Sequence, residues 1–130
     1  MKSVTFFIEG NTPSKKNDRT IGVRNGRVFN VPSKRYREWH DSAMWQLKGM
    51  KNLELKPPYS ITYSFWFKDR RKHDLDNAQA SVNDLLKDAG IIEDDDSKML
   101  VETHCYYKGV SKEVPRVKIE IRSGILVDKA

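Results

Sequence analysis

The chain has 130 residues, of which 38% are hydrophobic and 32% charged, with a formal net charge of +6 and one cysteine. That is one domain with one modest core, 1–130, and no apolar run reaches the about 18 residues of a membrane span. Cys105 has no partner for an internal disulfide, so a disulfide-stapled secreted scaffold is excluded, and the basic balance admits a nucleic-acid partner without requiring one.

Residues 1–9 alternate like a strand and lack the apolar stretch of a signal peptide, so cytoplasmic residence is expected. A polar loop follows to Thr20, carrying Pro13, Ser14, Lys15, Lys16 and Asn17. Ile21 to Val31 reads as a hairpin, because Asn25-Gly26 tolerates the positive φ of a type I′ turn. Ser33 is a good N-cap for a helix whose apolar stripe is Tyr36, Trp39, Ala43, Leu47 and Met50, ending before Pro57-Pro58. Tyr59 to Lys68 alternates, with Tyr59, Ile61, Tyr63, Phe65 and Phe67 on one face. It reads as a half-buried central strand. A second helix runs from Asp74 or Asp76 to about Ala89, with Gly90 as its C′ residue. Lys98 to Tyr107 and Val117 to Ile121 are further strands, joined by a loop from Lys108 to Val114. Residues 123–130 form a possible loose tail. The order β, β-hairpin, α, β, α, β, β predicts an α+β fold: a mixed, mainly antiparallel sheet with two main helices packed on one face.

Charge is distributed unevenly. Lys68, Arg70, Arg71 and Lys72 surround one acid, Asp69; Lys15, Lys16, Arg19, Arg24 and Arg27 form a second basic region, and Lys34, Arg35 and Arg37 a third. Asp74 and Asp76 then stand two apart where strand gives way to helix, and in extended chain such residues point the same way. Asp94, Asp95 and Asp96 follow after a helix of a length that could return the chain to the same end of the sheet. Carboxylates grouped beside cations suit a hard divalent ion that works on phosphate, and hence metal-dependent hydrolysis of a phosphodiester. Ordinary capping by Asp74 or Asp76, and an exposed acidic turn, remain open alternatives. An EF-hand is excluded, since Gln79 and Leu85 stand where its glycine and final glutamate belong. His40, His73, His104 and Cys105 lack zinc-ligand spacing.

Arg70-Arg71-Lys72-His73-Asp74-Leu75-Asp76-Asn77, the helix with Asp84-Leu85-Leu86, and Ala89-Gly90-Ile91-Ile92-Glu93-Asp94-Asp95 together resemble the RusA family of Holliday junction resolvases, as does the loop Pro13 to Asn17. The resemblance covers roughly residues 3–122. It implies a homodimeric, Mg²⁺-dependent endonuclease that cuts four-way DNA junctions symmetrically in recombination and repair, often of phage or prophage origin, with no small-molecule cofactor and no membrane partner. It also implies Asp74, Asp76 and Asp95 as catalytic, metal-holding carboxylates, with Asp94 as a further metal ligand. Lys15, Lys16, Arg70, Arg71, Lys72 and Asn77 become the implied DNA contacts. One position departs: the family's usual catalytic lysine, four residues after the second aspartate, is Ala80 here. Lys87, two turns along the same helix, is a possible substitute; the alternative is a catalytically weak junction-binding protein.

Overall fold

The computed structural model of the chain describes residues 2–14, 19–50 and 53–126. The elements follow the predicted order: β1 (Lys2–Glu9), β2 (Arg19–Arg24), β3 (Arg27–Pro32), α1 (Lys34–Gln46), β4 (Tyr59–Phe67), α2 (Leu75–Asp88), β5 (Leu100–Val110) and β6 (Arg116–Ser123). β2 and β3 form a separate hairpin turned by Asn25 and Gly26, at φ of 54° and 75°, as a type I′ turn requires. The other four strands make one sheet in the order β1-β6-β4-β5. β1 and β4 both pair antiparallel with β6, whereas β4 and β5 pair in parallel. The fold is thus α+β with a mixed, mostly antiparallel sheet. None of the described helices is long and apolar enough to cross a membrane.

The core is built on β4. Tyr59, Ile61, Tyr63, Phe65 and Phe67 are buried, in register with Ile121, Ile119 and Val117 of β6, against Ile8 of β1 and Val82, Leu85 and Leu86 of α2. α2 is fixed over this face by the Tyr63 hydroxyl, which donates to Asn83 Oδ1. α1 is tied to α2 by the Tyr36 hydroxyl on Asp84 (3.0 Å) and by His40 Nε2, 2.7 Å from Asp88 Oδ2. The strand is more buried than its alternation predicts. Ser60 and Ser64, on its polar face, are also covered, because a central strand has neighbours on both sides. The aromatic row therefore belongs to the core and is unavailable as subunit-interface material.

β5 departs from expectation at both ends. Asp96 Oδ1 accepts the Lys98 and Met99 N–H groups, so those residues belong to a turn. The strand continues to Val110, because the parallel ladder runs on to the Phe67–Val110 pair. Register shifts at either end of that ladder place Leu100, Thr103, Cys105 and Tyr107 opposite the buried Tyr59, Ile61, Tyr63 and Phe65, which breaks the strict alternation of the strand. The start of the expected tail is held, with the Gly124 N–H on the Lys56 carbonyl at 2.8 Å and the Ile125 N–H on the Pro58 carbonyl at 3.2 Å. Residues 127–130 lie outside the described residues.

Leu85 is fully buried beneath α2. Leu85→Ala is expected to lower stability by about 2–5 kcal/mol; a urea titration should show a lower midpoint with an unchanged slope.

Candidate functional site

The loop leaving β4 is ordered by its own acid. Asp69 Oδ1 accepts the Arg71 N–H at 3.0 Å and lies 3.1 Å from His73 Nε2. The His73 ring stacks on Phe67 with centroids 3.9 Å apart. Burial pushes the Asp69 carboxyl up, but the Arg71 N–H and His73 together outweigh it, so it sits below the usual carboxylate range. With Asp69 so engaged, Arg70, Arg71 and Lys72 project from the loop as exposed cations.

Asp74 is the N-cap of α2, accepting the Asp76 and Asn77 N–H groups at 3.0 and 3.4 Å. The expectation that Asp74 and Asp76 point the same way from extended chain is corrected here. Only Asp74 is extended; Asp76 already lies in the first helical turn, so the two carboxylates leave the backbone differently. Asp76 is exposed, and its carboxylate has no hydrogen bond or ion pair among the described residues.

The three later acids have three different roles. Asp94 Oδ1 accepts the Asp95 N–H at 2.8 Å, Asp95 Oδ1 holds Lys87 Nζ at 3.1 Å, and Asp96 closes the turn into β5. Lys87 also lies 4.0 Å from Asp84. The Asp95 hydrogen bond, acting against partial burial, raises the Lys87 pKa and keeps the ammonium charged at neutral pH. This turn does not return to the end of the sheet where Asp74 stands. Parallel strands require their crossover helix to run against them, so Asp94 to Asp96 precede Leu100, which pairs with Tyr59 at the opposite end of β4.

Both acidic ends nevertheless face the same strip between α2 and β5. Cys105 Sγ donates to Gln79 Oε1 at 2.7 Å, and its register partner Tyr63 donates to Asn83. Burial pushes the Cys105 thiol up to about 11, helped by the charge of Asp76. Burial also raises the Tyr63 hydroxyl, as do Cys105 and, less strongly, Asp95; the bond to Asn83 acts in the opposite direction. Asp76, Gln79, Asn83 and Lys87 recur at three- and four-residue spacing, a polar stripe down α2 with the exposed Ala80 inside it. Gln79 and Asn83 were missed as site residues from the sequence. Their three- and four-residue spacing with Asp76 and Lys87 was the available signal.

The carboxylates at the two ends of α2 are hard oxygen donors, the ligand type that would suit a divalent ion held together with water and substrate phosphate. Among the described residues no three acidic, histidine or cysteine side chains converge on one point. Asn77 lies in the first turn beside Asp76, while Lys15 and Lys16 lie outside the described residues.

Cys105 provides a readout of the Asp76 charge. Alkylation of the thiol should be slow at pH 8 and rise through a midpoint near pH 11. Removing the neighbouring negative charge with Asp76→Asn should move that midpoint down. An unchanged midpoint in rate-against-pH measurements would show that the carboxylate does not act on the strip.

A family described as "Endodeoxyribonuclease RusA" matches residues 11–122. The "Crossover junction endodeoxyribonuclease RusA" of Aquifex aeolicus (strain VF5) is 32% identical over 123 residues, covering 94% of this chain and 93% of that protein.

Proposed function

This chain belongs to the RusA family of endodeoxyribonucleases, and from that premise we propose that it is a Mg²⁺-dependent, structure-selective endonuclease that resolves four-way (Holliday) junctions by paired symmetric cleavage. The observation that carries the reading is the exposed carboxylate of Asp76, without a side-chain partner among the described residues, in the first turn of the helix that follows the exposed cations Arg70, Arg71 and Lys72. A carboxylate left unneutralised beside a phosphate-attracting loop is unfavourable for binding DNA alone, and favourable once a cation joins it.

In this reading Asp74 and Asp76 offer oxygen donors at the start of α2, and Asp94 and Asp95 offer theirs at the turn that follows it. A bound Mg²⁺ would polarise the phosphoryl oxygen and make water a better nucleophile. Arg70, Arg71 and Lys72, joined by Lys15, Lys16 and Asn77, hold the junction backbone. Lys87 supplies the positive charge that Ala80 does not, since an ammonium near the reacting phosphate stabilises developing negative charge. A four-way junction has two-fold symmetry and needs two cuts, so the active species is a homodimer in the cytoplasm. β1, an edge strand with Phe7 half exposed, is interface material. Phosphate contacts dominate affinity, and log K falls by about 0.9 per phosphate neutralised for each tenfold rise in salt.

Asp76→Asn is expected to bind a four-way junction at least as tightly as the parent and to cut it at least about a hundredfold more slowly. Gel-shift titration beside single-turnover cleavage makes the comparison; equal loss of both would mean the residue only supports the fold. Lys87→Met should slow cleavage about tenfold or more, and Ala80→Lys in the same chain should recover most of the loss. The second reading, a junction binder that cuts poorly, is favoured by Ala80 itself. It predicts that the unmodified protein shifts junctions without nicking them and that Ala80→Lys alone switches cutting on.

A further inference from the structure

We propose that the cleft enclosed by the N-terminal loop, the first turn of α1 and the start of α2 binds a DNA backbone phosphate that is not cut, with Thr12 and Arg35 as its ligands beside Arg71 and Lys72. The cleft measures about 210 Å³ and is lined by Thr12, Ser14, Arg35, Arg71, Lys72 and Asp74, among others. That is smaller than the about 300 Å³ at which sites for larger organic ligands begin, and it suits a single phosphate group.

Thr12 carries the argument. It is 3% exposed, and its Oγ1 has no hydrogen-bond partner among the described residues. Buried hydroxyls are rarely left unpaired, and one in the wall of a cationic cleft is a donor waiting for an acceptor oxygen. The charges agree. Three cations reach the cleft from two separate segments, and a guanidinium matches two phosphate oxygens at once. Arg71 lies 3.8 Å from Asp69 Oδ2, but this is a loose pair at the surface that a phosphate can displace. Asp74, in the wall, already accepts the two N–H groups it caps.

The walls are also held in place before any ligand arrives. Ser81 Oγ donates to the Pro13 carbonyl at 2.7 Å, pinning the loop to α2, and the Lys68 N–H donates to Asn11 Oδ1 at 2.9 Å, pinning it to the end of β4. A cleft that keeps its shape loses little conformational entropy on binding. A phosphate seated there lies beside Asp74 at one end of α2, so it would set where along a strand the scissile bond falls.

The source of the phosphate rests on the nuclease reading; the cleft itself does not. Inorganic phosphate titrated into the full chain should give saturable ¹H–¹⁵N shifts at Thr12, Ser14 and the Arg35 side chain. Arg35→Gln should weaken that binding about tenfold or more, and Thr12→Val about three- to tenfold. Thr12→Val should at the same time raise the melting temperature, since it removes an unpaired buried hydroxyl, whereas a merely structural threonine would lower it. On junction DNA, Arg35→Gln should reduce the slope of log K against log salt by about 0.9. Phosphate shifts in the cleft with no junction binding would uphold the cleft and sink the nuclease reading. Intact junction cutting with no phosphate shifts, and with affinity and salt slope unchanged in both variants, would overturn the cleft and leave the nuclease standing.

Discussion

Because β4 pairs with β5 in parallel, the chain between them has to cross the sheet, and α2 is that crossing. The helix can lie only where β4 gives it something to cover, and the fully buried row from Tyr59 to Phe67 is that surface. Everything around the candidate site follows from this. The basic loop sits at the end of β4, Asp74 and Asp76 sit at the start of the helix, and the acidic turn sits where the helix delivers the chain to β5. The polar stripe of α2 is left facing β5, an edge strand that the helix does not fully cover.

Charge at the site is arranged in two unequal halves. At one end Asp69 is engaged by its own loop and Asp74 by the helix it caps, so Asp76 is the carboxylate left without a side-chain partner among the described residues. At the other end Asp95 is neutralised by Lys87. Between the two ends runs a partly buried polar row, Cys105 to Gln79 and Tyr63 to Asn83, which ties the helix to the strands. Ala80 lies on the same stripe, between the unpaired acid and the paired one. Ala80, where the resemblance implies a lysine, and Lys87 therefore share a single surface.

Much of this was legible in the residues. Alternation in Tyr59 to Phe67, the Asn25-Gly26 turn, the Ser33 cap and the three- and four-residue apolar spacing of both helices each report a local preference that the fold keeps, except that α1 ends at Gln46 and leaves Met50, the last residue of its expected stripe, outside the helix. What was not legible depends on strand partners. The parallel pairing decides that the acidic turn lies at the far end of β4, and periodicity carries no information about strand direction. It also extends β5 to Val110 and breaks the strict alternation of its residues. The turn at Asp96 was hidden because Lys98 and Met99 fit an alternating pattern equally well. At the site, the types of residue were readable but their engagements were not. Asp74, Asp94, Asp95 and Asp96 look equivalent in sequence, and the hydrogen bonds each makes separate them.

In the function proposed above, the acids along α2 serve metal-dependent hydrolysis confined to branched DNA. The most direct test is strand cleavage of a 5′-labelled four-way junction by the unmodified protein, beside a linear duplex of the same sequence, with Mg²⁺ and with a chelator. Paired, symmetric nicks are expected in opposing strands of the junction, present with Mg²⁺, absent with chelator and absent from the duplex. Equal nicking of the linear duplex, or junction cutting that persists in chelator, would contradict the proposed function.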